Sequence, residues 1–287
     1  MIRRPPRSTL DRSSAASDVY KRQPTNMAID EAILSSVSKG QSLPTLRLYS
    51  WNPACISIGR AQSDSDVDKT RLQSLGYDLV RRPTGGRSIL HLNEFTYSVC
   101  LPKEDPIASG GVLPTYRRIS NGILASLTEL GVVVDNSGGV PPAEAQGAVC
   151  FEHRSHYEIS ANGRKLLGSA QMRSGRGVLQ HGSLPLKGDI ASICDTLIFR
   201  SESNRASAIL RVREQAIVLA DVLGYQASWE QVATAFESGF AQALDIDFSN
   251  EDLSATELQN VNLLVADKYA DLSWTNGSRH IRDVLTA

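Results

Sequence analysis

Past residue 23, apolar residues recur at helical spacing. Ile29, Ile33 and Val37 fall on one face, which predicts a helix capped by Asn26 and ended by Gly40. Short apolar runs follow at 46–49, 55–58, 77–82, 88–91 and 95–101, each bounded by turn residues. They read as strands of a sheet more antiparallel than doubly wound. A second helix is predicted over 116–130, with Ile119, Ile123, Leu127 and Leu130 on one stripe and Gly131 behind it. Residues 136–149 are rich in Gly, Pro and Ala and read as a loop.

The clearest local signal lies just after that loop. Residues 157–161, the dipeptide Asn162-Gly163 and residues 164–171 predict a hairpin closed by a type I′ turn. Counting from the turn, Ala161 faces Arg164 and Ser160 faces Lys165. Unbroken alternation then places Tyr157, Ile159, Ala161 and Leu166 on one face, and His156, Glu158, Ser160, Lys165 and Ser169 on the other.

From about residue 200 the pattern turns helical. Ser228 with Gln231, and Ser254 with Glu257, match the capping box, and Leu253 with Leu258 fits a hydrophobic staple. Ile209, Val212 and Leu219, then Val232, Phe236 and Phe240, then Leu258, Val261 and Val265 supply the apolar stripes. Three parts are expected: residues 1–23, a catalytic domain over 24–200, and a helical part of the same unit over 201–287.

Composition narrows the classes. The 287 residues are 41% hydrophobic and 21% charged, which is ordinary for a globular chain. The formal net charge is −1, and nothing global points to nucleic acid. No apolar run reaches the roughly 18 residues a membrane span needs. Residues 1–23 hold six Arg or Lys against two Asp, which leaves −5 for the remainder. They lack the apolar core of a secretory signal and read as adaptor-like, non-native sequence fused to a shortened gene. Cys55, Cys100, Cys150 and Cys194 contain no CxxC pair, so neither a disulfide scaffold nor a zinc ribbon is expected. A reducing cytoplasm fits.

Three segments carry candidate chemistry. Arg81-Arg82-Pro83-Thr84-Gly85-Gly86-Arg87 sits between two predicted strands. Its paired glycines admit close backbone approach, and its arginines offer fixed donors to an anionic or carbonyl group. Cys150 follows the Gly-rich loop, near His153, His156 and the hairpin lysine. A thiol needs such a neighbouring cation or base to react as thiolate. Lys165 precedes Gly168-Ser169-Ala170, where missing bulk leaves room for a ligand chain beside the strand. His181 has no companion at metal-ligand spacing, so no metal site is expected.

Together these residues resemble the lipoate-protein ligase and octanoyltransferase superfamily, which shares its fold with biotin-protein ligases. The resemblance runs from Asn26-Met27-Ala28-Ile29-Asp30-Glu31 through Leu46–Trp51, Ile58-Gly59-Arg60, 81–91, Cys150-Phe151, 157–171 and Gln180–Ser183. It implies an α+β catalytic fold: a mixed, mostly antiparallel sheet flanked by helices, with a helical C-terminal part. The strand that members place before the first helix is not evident.

Within the superfamily the similarity is to cysteine-dependent octanoyltransferases of the ligase-like branch. Arg87 and Leu92 stand where ligases carry a third glycine and an aspartate. The resemblance implies Cys150 as acyl-accepting nucleophile and Lys165 as the lysine that contacts the reacting carbonyl or holds the thiolate. It assigns substrate binding to Arg81, Arg82, Thr84, Gly85, Gly86, Arg87 and His91 on one side. On the other it assigns Gly168, Ser169, Ala170, His181 and Gly182. No ATP or metal is then required.

The implied donor is octanoyl-acyl carrier protein. The acceptor is a lysine of a lipoyl domain, such as glycine-cleavage H protein or the acyltransferase subunit of a 2-oxoacid dehydrogenase. Neither nucleic acid nor membrane is a partner. Alternatives are a lipoyl-domain amidotransferase, an ATP-dependent lipoate-protein ligase and a non-catalytic acyl-binding module. Carrier-protein docking is expected from a local basic patch drawn from Arg81, Arg82, Arg87, Arg164, Arg173, Arg176 and Lys187.

Overall fold

The structure is a computed structural model, and it describes residues 7–10, 23–135 and 158–277. Its strands are β1 (Arg7–Leu10), β2 (Thr45–Tyr49), β3 (Cys55–Ile58), β4 (Asp78–Arg81), β5 (Ile89–His91), β6 (Glu94–Pro102), β7 (Glu158–Ala161), β8 (Arg164–Arg173), β9 (Gly177–Pro185) and β10 (Ser249–Asn250). The helices are α1 (Gln23–Ser38), α2 (Lys69–Leu75), α3 (Val112–Glu129), α4 (Glu202–Gln215), α5 (Leu219–Leu223), α6 (Trp229–Leu244), α7 (Ala255–Leu264) and α8 (Leu272–Thr275).

Two sheets carry the fold. The larger runs β10-β1-β2-β6-β9-β8-β7 and the smaller β4-β3-β5. From β2 to β7 every pair is antiparallel; β1 lies parallel to β2 and β10, and β3 parallel to β4. This is the mixed, mostly antiparallel α+β arrangement expected. The pattern did not foretell its division into two sheets.

Paired residues share a face of a sheet, so the ladders show what each face buries. Leu46 opposite Val99 and Leu48 opposite Tyr97 join one core. Ile119, Ile123 and Leu127 of α3 and Phe236 and Phe240 of α6 complete it. On the opposite face lies α1, whose Ile29, Ile33 and Val37 pack with Cys100, Leu179 and Trp274. Among the described residues, no helix is long and apolar enough to cross a membrane.

Several boundaries differ from expectation for local reasons. Helix α1 starts at Gln23, with Pro24 in its first turn, where a missing N–H costs nothing. Asn26 therefore lies inside the helix and is not its cap. Its Oδ1 accepts from Arg47 Nη2 at 2.7 Å, and its Nδ2 donates to the Ser50 carbonyl at 3.3 Å. Both capping boxes form as the sequence predicts, at Ser228 and Ser254. Leu258 is exposed, so the stripe of α7 that reaches the core is carried by Val261. The helices after residue 201 are joined to the sheet through backbone bonds from Ile217 to Lys165 and from Ala220 to Leu186, both 2.9 Å.

Candidate active site

The α1-facing side of the large sheet is polar where its opposite side is apolar. Arg47 and Tyr49 of β2 lie opposite Ser98 and Thr96, which lie opposite His181 and Ser183 of β9. That row continues onto β8 at Ala170 and Gly168. A polar row inside a protein is costly unless every group finds a partner. Two buried carboxylates, Asp30 and Glu94, organise it.

Asp30 projects from α1 with no exposed surface. Its Oδ1 accepts from Arg47 Nη1 at 2.9 Å and from Ser98 Oγ at 2.8 Å, and its Oδ2 from Tyr49 Oη at 3.0 Å. His181 Nδ1 stands 3.5 Å from Oδ2, while His181 Nε2 lies 2.6 Å from Thr84 Oγ1. A carboxylate can only accept, so the ring hydrogen sits on Nδ1 and, in the neutral ring, the Thr84 hydroxyl donates to Nε2. Burial pushes the Asp30 carboxyl up, but the bond from His181, the Arg47 charge and the Ser98 hydroxyl together hold it below the usual carboxylate value.

Glu94 accepts from Thr96 Oγ1 at 2.7 and 2.8 Å and from Ser183 Oγ at 2.5 Å. Thr96 Oγ1 in turn accepts from Trp51 Nε1 at 2.9 Å. Trp51 stacks on His91, with ring centroids 4.1 Å apart. Arg82 Nη1 donates to Ser57 Oγ at 3.1 Å, and Ser57 Oγ pairs with His91 Nε2, 2.9 Å away. Burial lowers the His91 imidazole below its ordinary value despite Glu94, so the ring is neutral at pH 7.

Between this row and the small sheet lies a narrow pocket. Gly168, Ser169, Ala170, His181 and Gly182 line it from β8 and β9. Arg82, Gly86 and His91 close it from the small sheet, with Met27, Tyr49 and Trp51 alongside. Eight residues singled out from the sequence thus meet at one cavity.

The remaining loop residues sit behind or beside it. Thr84 is buried and reaches the cavity only through His181. The Gly85 and Arg87 carbonyls both accept from Arg82, which pins the loop to β4. Arg81 turns away. Its guanidinium donates to the carbonyls of Gly59, Arg60, Gln62, Trp274 and Thr275, which straps α8 to the small sheet. A charge spent on five carbonyls is a structural tie, and Arg81 does not line the pocket as the sequence reading had it.

The docking patch also loses a member. Arg173 donates to the Ala108 and Gly111 carbonyls and to Thr115 Oγ1, joining the end of β8 to the start of α3. Arg176 is exposed.

Lys165 is buried, and its Nζ lies 2.5 Å from Glu158 Oε1. The hairpin turn has Asn162 at φ 53° and Gly163 at φ 71°, as a type I′ turn requires, and the expected pairs Ala161–Arg164 and Ser160–Lys165 form. The ladder then shifts: Ile159 opposes Leu167 and Glu158 opposes Gly168, leaving Leu166 over. This bulge reverses the alternation beyond it. Gly168 shares the Lys165 face, whereas Ser169 turns its hydroxyl to Tyr97 Oη on the other side at 2.7 Å. The uniform alternation predicted from sequence, with Lys165 beside Ser169, is corrected by one residue.

Cys150, with His153 and His156, lies outside the described residues. The other three cysteines are buried. Burial raises the Cys55 and Cys100 thiols well above the usual range, which keeps them inert. Asp30, Glu94, Tyr49 and Trp51 were not singled out from the sequence for a role. Asp30 and Glu94 interrupt otherwise apolar patterns, and that was the signal available.

A mixed sheet of this topology, with a Gly-Gly loop closing one narrow pocket against β8 and β9, is the architecture of a lipoyl-ligase-type catalytic domain. The chain belongs to the lipoyl protein ligase A/B catalytic domain family, whose model matches residues 23–241. It is 39% identical over 258 residues to octanoyltransferase LipM of Exiguobacterium sibiricum, covering 87% of this chain and 92% of that protein. It is 41% identical over 261 residues to octanoyltransferase LipM of Symbiobacterium thermophilum, covering 89% and 94%.

Among solved structures, the bipartite lipoate protein ligase of Thermoplasma acidophilum superposes with a TM-score of 0.78 at 23% identity. That match covers 98% of this chain and all of the other. At that identity the likeness speaks for the fold. The octanoyltransferase relatives make this chain an acyltransferase of octanoyl transfer in protein lipoylation.

Proposed function

We propose that this chain moves an octanoyl group from the thioester of acyl carrier protein, through a thioester on Cys150, to a lysine of a lipoyl domain. The observation that supports it most directly is Lys165: a buried ammonium on the pocket face of β8, against Gly168. In this reading the Cys150 thiolate attacks the donor carbonyl, a new C–S bond forms, and the carrier thiol leaves with a proton. The acceptor amine then attacks, a C–N bond forms, and the C–S bond to Cys150 breaks. Both donor and intermediate are thioesters and the product is an amide, so the sequence runs downhill without ATP or metal. A covalent cysteine divides one hard aminolysis into two easier steps.

Lys165 supplies positive charge near the developing oxyanion, a donor contribution of roughly 3 kcal/mol. Arg82, Gly86, His91, Gly168, Ser169, Ala170, His181 and Gly182 wall the acyl chain. Thr84, Gly85 and Arg87 hold that wall in place. A reducing cytoplasm keeps the thiol available. Suitable acceptors are glycine-cleavage H protein and the acyltransferase subunits of 2-oxoacid dehydrogenases.

The test is incubation with octanoyl-acyl carrier protein and no ATP, followed by intact-mass measurement of wild type and Cys150→Ser. An octanoyl adduct on wild type alone is expected. An adduct obtained only from an octanoylated lipoyl domain would make the enzyme an amidotransferase, and one that needs ATP would make it a ligase.

A further inference from the structure

We infer that Glu158 is a positioning residue for the acyl-transfer step, holding the Lys165 ammonium in one orientation at the pocket wall. The inference rests on the reading of Lys165 given above. Three local features converge on this one ammonium. The bulge at Leu166 sends Leu166 and Leu167 into the core and returns Gly168 to the Lys165 face, three residues on. In an unbroken strand residues three apart face opposite ways.

The absent side chain at Gly168 then clears a path. A Cβ there would stand 3.0 Å from Lys165 Cε and 3.3 Å from Nζ. Finally, Glu158, opposite Gly168 on β7, meets Nζ at 2.5 Å, with the two side chains only 7% and 2% exposed.

A buried ion pair contributes little net stability, and an apolar pair of similar volume would serve the hairpin equally well. What the pair does supply is direction. Lysine ends four rotatable bonds from its backbone, so an unheld ammonium samples many positions. The bond to Glu158 confines where the ammonium can sit, and the carboxylate beside it favours the charged form.

The experiment uses Glu158→Gln, which keeps shape and one acceptor oxygen but removes the charge. Steady-state rates with octanoyl-acyl carrier protein, their pH dependence and thermal melts are measured beside wild type. We expect kcat to fall on the order of a hundredfold while KM stays within about twofold. The alkaline limb of the rate profile should move to lower pH, because the ammonium has lost its counter-charge.

Wild-type kcat in Glu158→Gln overturns the inference. So does a loss with an unmoved pH profile, since that marks a residue serving only the hairpin. If Glu158→Gln does not fold, Glu158→Asp keeps the charge and shortens the reach. Reduced kcat there at a wild-type melting temperature supports positioning, and either wild-type kcat or a kcat loss that only tracks a lowered melting temperature overturns it. The transfer reading itself fails separately: wild type would then form no Cys150 adduct from the carrier-protein donor.

Discussion

The carbonyl oxygen of Gly86 occupies the space that a side chain on Gly59 would need: a Cβ at Gly59 would lie 1.9 Å from it. The end of β3 therefore fits under the Gly-Gly loop only as glycine, and the loop in turn fixes one wall of the pocket. Gly59→Ala must push that loop outward. We expect a stability loss of about 2–3 kcal/mol, in the range of overpacking, and a raised KM for the octanoyl donor. Gly85, in the same loop, has no atom within 4 Å of an added Cβ and no positive φ. Gly85→Ala should stay within about 0.5 kcal/mol of wild type in urea denaturation. Equal losses at the two sites would show that the loop, and not its packing on β3, is the sensitive feature.

The Asp30–Arg47 pair makes a second prediction. Asn at position 30 leaves the Arg47 guanidinium, itself 2% exposed, without its charge partner. Breaking a buried pair from one side costs about 3–5 kcal/mol. Asp30 is held below its ordinary value of 3.8, so its contribution is fully present above that value and is lost as pH falls through the lower folded value. The stability gap between wild type and Asp30→Asn should thus be constant near neutrality and close at acid pH. A gap that does not change with pH would mean that Asp30 acts by shape alone.

These two carboxylates also show where the sequence stops being legible. Periodicity placed α1, the β2 and β6 strands and both capping boxes, because each depends on residues a few positions apart. Asp30 and Glu94 act across the sheet, on His181 and Ser183, and no local spacing links them. The bulge at Leu166 was unreadable for a related reason: leucine fits either side of a half-buried strand, so nothing marked the change of alternation. Arg81 misled in the other direction. Three arginines around a Gly-Gly turn promised ligand contacts, yet the five carbonyls that take Arg81 come from segments as distant as Trp274 and Thr275.

Arg173 and Arg176 should now behave differently from one another. Arg173→Glu breaks bonds to Ala108, Gly111 and Thr115, and should cost about 1–3 kcal/mol per lost charged bond in stability, with carrier-protein and small octanoyl thioester donors affected alike. Arg176→Glu changes an exposed charge, so it should raise only the carrier-protein KM and flatten its salt dependence. A donor-selective effect at Arg173 would restore it to the docking surface.

Lys165→Ala tests the lysine independently of turnover. If its charge favours the Cys150 thiolate, the midpoint of iodoacetamide labelling against pH should move up in the variant, toward or beyond the free-thiol value of about 8.5. An unmoved midpoint with lost transfer would place Lys165 on the substrate carbonyl and away from the thiol.

The last prediction concerns the start of the chain. Residues 1–23 read as foreign from their composition, yet Arg7–Leu10 form β1 between β2 and β10, with Arg7 opposite Thr45 and Ser249. The two observations are compatible, because strand pairing uses backbone groups and does not require a particular side chain. We propose that β1 serves as a generic edge cover for β2, whose other side is already paired with β6. Removal of residues 1–22 would then turn β2 into a solvated edge. The melting temperature should fall by several degrees, at roughly 2–4 °C per kcal/mol for a chain of this size, while octanoyl transfer at 25 °C is retained. Replacing Arg7–Leu10 with an unrelated β-prone tetrapeptide should recover most of the loss. If the replacement melts as low as the deletion, the native side chains matter and the segment belongs to the fold in its own right. If the deletion melts like wild type, β2 needs no cover and residues 1–22 stand apart from the domain.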